Sequence, residues 1–262
     1  MNSRRLYVLV MAHPDDESMF FLPTVVSLLD IGAEVWVLCL TTGNYDGLGE
    51  TRCQELRRAC REVIGIQKVI LLDEHAFPDH PTRAWPIEET AESIHTALRK
   101  AVEEDPEKKW KSIDLLTFDQ AGVSNHANHR DTFFAVRHFY DSQSSIIQKG
   151  SHALPLIAVW TLHTVENPFT KYVPVLEWLL LILFWCGIRS DSLLSTPAVL
   201  DSDDSDSSSV VRVYRMHQPA LNWKAMAAHT SQFVWYRRLF VVFSCYTYHN
   251  RMQKLQTKAK RT

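Results

Sequence analysis

Two short clusters hold the side chains best suited to chemistry: His13-Pro14-Asp15-Asp16-Glu17 and His126-Ala127-Asn128-His129. Imidazole nitrogens and carboxylate oxygens together suit a divalent metal such as zinc, and iron(II) accepts the same donors. Two donors from the first cluster and one histidine from the second make three. That number leaves a position for water and describes a catalytic rather than a structural site. Water held there has its pKa lowered to about 7. Taken singly, each cluster has a plainer reading: HPDD can be a helix N-terminus with aspartates complementing the dipole, and H-x-x-H a pair of packed histidines. Together they favour a metal, provided the fold brings them to one place.

The elements around them predict that it does. LYVLVMA (6–12) is a continuous apolar run of strand type, followed by helical spacing over 17–31 that contains Pro23. EVWVLCL (34–40) reads as a second strand, and Glu50 to Val63 as a helix with Leu56, Ala59, Cys60 and Val63 on one stripe, stopped by Gly65. Strands at 68–72, 113–118 and 154–160 alternate with helices at 87–102 and 128–140. This order, with uninterrupted apolar strands, predicts an α/β fold: a mostly parallel sheet covered by helices on both faces. HPDDE follows the first strand and HANH follows the strand ending at Phe118, so both fall on the rim where open α/β sheets bind ligands.

Composition narrows the class. The chain has 262 residues, 46% hydrophobic and 22% charged, with 28 basic against 30 acidic residues and a net charge of -2. That balance, with no basic stripe among aromatics, excludes a nucleic-acid binder. Five cysteines without a C-x-x-C pair suggest neither a disulfide framework nor a thiolate zinc site, and a reduced, cytosol-facing protein is expected. The apolar stretch after Arg4 and Arg5 is too short for a signal peptide or a span.

The second half reads differently. VPVLEWLLLILFWCGI (173–188) is strongly apolar, but its clean run is about ten residues against the roughly 20 of a span; it is expected to be a core helix or a membrane-surface segment. LDSDDSDSSS (200–209) is expected to be a loose acidic loop. From Pro219 one helix is expected to run through HTSQFVWYRRLFVVF, and the basic tail 249–262 to fray. The organisation is therefore an α/β core over 1–165, a C-terminal part of the same domain over 166–248, and the tail.

AHPDDE (12–17), GETRCQEL (49–56), TFDQAGVSNHANH (117–129) and HTSQFVWYRRLFVVFS (229–244) resemble the PIG-L/LmbE deacetylase family in order and spacing, over most of 5–165 and again over 215–248. HPDDE with a downstream H-x-x-H is the specific part, and the YRRL stretch narrows the resemblance to members acting in GPI-anchor synthesis. The resemblance implies an LmbE-like, Rossmann-type three-layer fold and hydrolysis of the acetamide of N-acetylglucosaminyl-phosphatidylinositol. It implies His13, Asp16 and His129 as zinc ligands, with Asp15 as the general base. His126 would stabilise the oxyanion or assist the departing amine.

By the same resemblance Arg52 would face the inositol phosphate through paired charge-assisted bonds, its plain alternative being a solvated helix arginine. Asp79 is a candidate for a sugar hydroxyl. His229 and Arg237 or Arg238 would approach the site or a lipid phosphate, or else serve packing and surface charge. The remaining histidines carry no pattern.

Eukaryotic relatives imply the cytoplasmic face of the endoplasmic reticulum membrane and an N-terminal anchor. Either that anchor is absent here or the sequence begins downstream of it, and 173–188 is the candidate to replace part of its function. Two other functions fit the fold: deacetylation of a soluble GlcNAc conjugate, and a catalytically silent binding protein.

Overall fold

Continuous apolar runs become buried strands. In the computed structural model, which describes residues 5–72, 77–80, 82–105, 108–148, 154–174, 178–179, 198–200 and 210–256, an eight-stranded sheet has the order β3-β2-β1-β4-β5-β8-β7-β6. β1 (Arg5–Met11), β2 (Glu34–Cys39), β3 (Lys68–Leu71), β4 (Ser112–Phe118) and β5 (Leu156–Leu162) pair in parallel. β6 (Ala198–Leu200), β7 (Val211–Arg215) and β8 (His249–Lys254) complete the sheet with antiparallel pairs. β1 is buried from Leu6 to Met11 and β4 along its whole length, as expected of strands covered on both faces.

Helices follow the predicted alternation. A π-helical turn, Glu17–Phe21, leads into α1 (Leu22–Asp30). Pro23 sits in the first turn of α1, where its missing N–H leaves no helical bond unmade. α2 (Gly49–Arg58) continues through a π turn (Ala59–Ile64) to Gly65, whose φ of 97° supplies the left-handed stop. α3 (Ile87–Glu103), α4 (Gly122–Asn125), α5 (Ala127–Gln148) and α6 (Pro168–Tyr172) follow.

Two expectations need correction. The C-terminal helix is two helices, α7 (Pro219–Ala228) and α8 (Trp235–Phe243). At the break over 229–234 the Ser231 N–H leaves the helix ladder for Glu55, and the side chains of His229, Thr230 and Ser231 bond Glu17 and Glu55. The tail does not fray from residue 249: His249–Lys254 is β8, seated between β5 and β7. It pairs by backbone and buries only alternate side chains, Asn250 and Met252. The 201–209 tract and all of 173–188 except 173, 174, 178 and 179 lie outside the described residues. Among the described residues no helix is long and apolar enough to cross a membrane.

The chain leaves β1 toward β2 and β3, then returns to place β4 on the other side of β1. The crevice beyond the carboxyl ends of β1 and β4 is thus the point where strand order reverses, the favoured ligand position of such sheets.

Candidate active site

The loop after β1 is pinned by its own carboxylate. Asp16 Oδ2 accepts the backbone N–H of Ala12 (3.1 Å) and of His13 (2.8 Å), which turns His13 and Asp16 toward one point. His129, in the first turns of α5, comes to the same place: its Nε2 lies 3.3 Å from His13 Nδ1 and 3.3 Å from Asp16 Oδ1. His13 Nδ1 is 3.7 Å from Asp16 Oδ2. All three residues are buried.

The other ring nitrogens are held from behind. His129 Nδ1 donates to the carbonyl of Gly122 (3.1 Å), and the ring stacks on Phe118 at 4.1 Å and 2°. His13 Nε2 lies 3.2 Å from Asp79 Oδ1 and 3.0 Å from the Asn128 amide. Each imidazole therefore presents one nitrogen to the centre and anchors the other, the arrangement that orients metal-binding histidines. Ring nitrogens of His13, His126 and His129 also lie within 4.8 Å of one another, so the donor set fits a divalent ion.

The turn supplying the Gly122 carbonyl is organised by Asp119. Its Oδ1 accepts Ala121 N, Gly122 N and Thr164 Oγ1, and its Oδ2 accepts Thr164 N. Gly122 has φ 62°, and a Cβ there would lie 2.9 Å from the His129 Cβ. Only glycine meets both demands.

Asp15 stands beside the donor cluster with φ 137°, a conformation a non-glycine residue keeps only when its surroundings enforce it. Here they do. Asp15 N donates to Glu17 Oε2 (3.2 Å), and its carbonyl accepts Ser18 N and Met19 N. Its carboxylate lies between two guanidiniums, Arg52 (3.4 Å) and Arg237, which bonds Oδ2. Arg237 comes from α8; burial opposes its charge, but the Asp15 carboxylate outweighs that and leaves its pKa raised.

Charge coupling is strong in the metal-free centre. Burial opposes a charged His13, but the bonds to Asp16 and Asp79 outweigh it and raise the pKa to about 9. Burial would likewise raise Asp16, yet His129 and His13 hold it well below the usual carboxylate range. Asp79 is lowered against the effect of burial by its bond to His13. His126 is the reverse case: half-buried and facing two histidines without a partner for Nδ1 among the described residues, it is lowered to about 4.

Arg52 and Asp79 both lie in the site, held by contacts with its loops and side chains. Arg52 is buried, and its guanidinium donates to Gly43 O (2.8 Å) and Pro14 O (3.2 Å) as well as meeting Asp15 and Asp79. It is directed at the protein's own loop rather than outward. Asp79 is directed at His13 and Arg52. His229 is fully buried and donates to Glu17 Oε1 (2.6 Å), so its Nε2 is directed at the protein's own carboxylate. Arg237 does reach the site; Arg238 bonds the carbonyl of Phe233.

Glu17, Glu55 and Asp119 were missed as site supports. Glu55 accepts Thr230 Oγ1, Ser231 N and Ser231 Oγ at 2.6–2.8 Å. The only sequence signal for these residues was their place inside the resembling motifs.

The chain matches the PIG-L family, described as GlcNAc-PI de-N-acetylase, over residues 8–140. It is 32% identical over 241 residues to the N-acetylglucosaminyl-phosphatidylinositol de-N-acetylase of Bos taurus, covering 91% of this chain and 79% of that one. The de-N-acetylase of the same name from Saccharomyces cerevisiae is 28% identical, covering 92% and 79%. In fold the chain is similar to N,N'-diacetylchitobiose deacetylase from Pyrococcus horikoshii (TM-score 0.59, 16% identity, 97% and 84% covered). The zinc-inhibited form of teicoplanin deacetylase is also similar (TM-score 0.54, 11% identity, 98% and 100% covered).

Proposed function

The chain belongs to the PIG-L family of GlcNAc-PI de-N-acetylases, and from that premise we propose how its site hydrolyses the acetamide of N-acetylglucosaminyl-phosphatidylinositol to acetate and the free amine. The observation that carries the mechanism is the convergence of His13 Nδ1, His129 Nε2 and Asp16 Oδ1 beside a carboxylate held between two arginines.

His13, Asp16 and His129 would hold a divalent ion, zinc in our reading. When bound, it supplies positive charge to the amide oxygen and a water of lowered pKa. The Asp15 carboxylate, held by Arg52 and Arg237, would take up the proton of the attacking water. The same proton is within reach of the amide nitrogen as the C–N bond breaks, so Asp15 acts first as base and then as acid. His126, kept neutral at pH 7 by its low pKa, donates its ring N–H to the oxygen that gains charge.

Arg52 and Asp79 act by orienting Asp15 and His13. Family membership and the lipid named in the relatives support a place at the endoplasmic reticulum membrane, on its cytoplasmic face.

The test is acetate release from synthetic GlcNAc-phosphatidylinositol by the chain as isolated, after chelation, and after zinc is restored. Activity lost on chelation and recovered with zinc is expected. Full activity in metal-stripped protein would overturn the mechanism.

A further inference from the structure

The face next to the site is apolar and open. α8 (WYRRLFVVF) buries only Val241, while Trp235 is 71% exposed and Phe169 of α6 is 78% exposed. An amphipathic helix of a water-soluble surface would put such residues inward; a contiguous apolar patch of this kind marks a binding surface. Between α6 and α8 lies a groove of about 570 Å³.

Two observations tie this groove to the site. Arg237 lines it and also bonds Asp15. Phe20 lines it and packs edge-on against the His129 ring at 5.7 Å. The groove therefore adjoins the donor cluster, with Arg237 and Phe20 forming part of the wall they share.

Its charges are as informative as its apolar walls. The cations lining it are Arg237 and Lys171. Lys171 Nζ donates to the carbonyl of Val123 (2.9 Å), next to the residue that anchors His129. Among the described residues no carboxylate lies within ion-pair distance of it, and burial lowers its pKa. A half-buried ammonium without a carboxylate partner among the described residues, in the wall of an apolar groove, suits a molecule with an anion close to its sugar and hydrocarbon beyond.

Resting on the deacetylase reading above, we infer that the α6–α8 groove is the lipid subsite of the glycolipid: Lys171 receives the phosphodiester, and an acyl chain runs along Met19, Leu239, Phe240 and Phe243. The exposed rim of α8 then lies at the boundary of headgroups and chains, as amphipathic surface helices do.

The experiment compares two substrates in free solution: GlcNAc-phosphatidylinositol with two short acyl chains, kept below its micelle concentration, and its chain-free head group. No bilayer is present, so the ratio of their kcat/KM values reads chain binding alone. Burial of a few methylenes predicts a ratio of at least about tenfold in favour of the diacyl substrate. Leu239→Glu and, separately, Phe243→Glu should bring the ratio close to one through a higher KM for the diacyl substrate. Ile31→Glu, an exposed residue at the end of α1, should keep it.

A wild-type ratio near one, or a ratio that survives both groove variants, overturns the lipid subsite and leaves the deacetylase reading standing. Acetate release from neither substrate by zinc-loaded protein overturns that reading, and the subsite with it.

Discussion

The strand-end loops and the C-terminal segment 229–237 meet at the same pocket but are built on opposite logic. The loops place reacting atoms, and their parts lie within a few residues of one another: Asp16 pins Ala12 and His13, and the Asp119 turn anchors His129. The C-terminal segment braces those loops from more than 170 residues away. His229 bonds Glu17, which holds the Asp15 N–H; Ser231 bonds Glu55 on the helix that carries Arg52; Arg237 bonds Asp15 itself. Local motifs bring the donor atoms together, and remote ones brace Asp15, the base we propose, in a backbone conformation it would not keep alone.

Separating these roles starts with Asp15. Asparagine is nearly isosteric with aspartate and keeps the same backbone atoms, so Asp15→Asn removes the base with least disturbance of the strained turn. We expect acetate release to fall by about 100- to 10,000-fold, the range for losing an acid–base group, with metal content unchanged by elemental analysis. His129→Ala should instead lose the metal. If Asp15→Asn also loses it, Asp15 is a ligand and the division between donors and base collapses.

The brace is tested at His229. Removing one member of a buried ion pair leaves the other uncompensated, at a cost of about 3–5 kcal/mol. His229→Ala should lower the urea midpoint accordingly, and adding Glu17→Gln should restore part of the loss. Burial opposes charging of His229, but the charge and bond of Glu17 outweigh it, so its pKa stands above the ordinary 6.5. The pair's contribution is then complete below about pH 6.5 and is lost as pH rises through the raised folded value. The stability gap between wild type and His229→Ala should therefore narrow in alkali. A gap independent of pH would mean that His229 fills space and carries no charge.

The same contrast explains what the sequence could tell. Strands β1, β2 and β4 were legible because parallel strands buried on both faces are written as apolar runs, and both histidine clusters fell at the ends of β1 and β4. β8 was not: HNRMQK buries only Asn250 and Met252, and Asn250 is fixed by Thr24 and the carbonyl of Phe20, over 220 residues distant. The break between α7 and α8 was hidden for the same reason, since 229–234 keeps helical spacing while its bonds go to Glu17 and Glu55. Arg52 was placed near the site by its motif and Asp79 only by its position after Phe77-Pro78, and which way they point depends on Gly43, Pro14 and His13, a matter of packing that no spacing encodes.

Asp79 offers the smallest and most discriminating test. Partners behind metal-binding histidines are worth about 10- to 100-fold in affinity, and the lower end is expected for Asp79→Asn because Asn128 also flanks His13 Nε2. The size should depend on pH. With His13 at about 9 in the metal-free protein, a proton competes for Nδ1 at pH 7, and loading the ion should release about one proton per chain. Calorimetry in buffers of different ionisation enthalpy reads that number. Without Asp79 the imidazolium loses one of its two carboxylate partners, so its pKa falls and fewer protons are released. Weaker competition then offsets part of the weaker support, and the affinity deficit of Asp79→Asn should be largest above pH 9 and shrink toward pH 7. Equal proton release in both proteins would show that Asp79 does not govern His13, and would return it to the sugar-binding role its position first suggested.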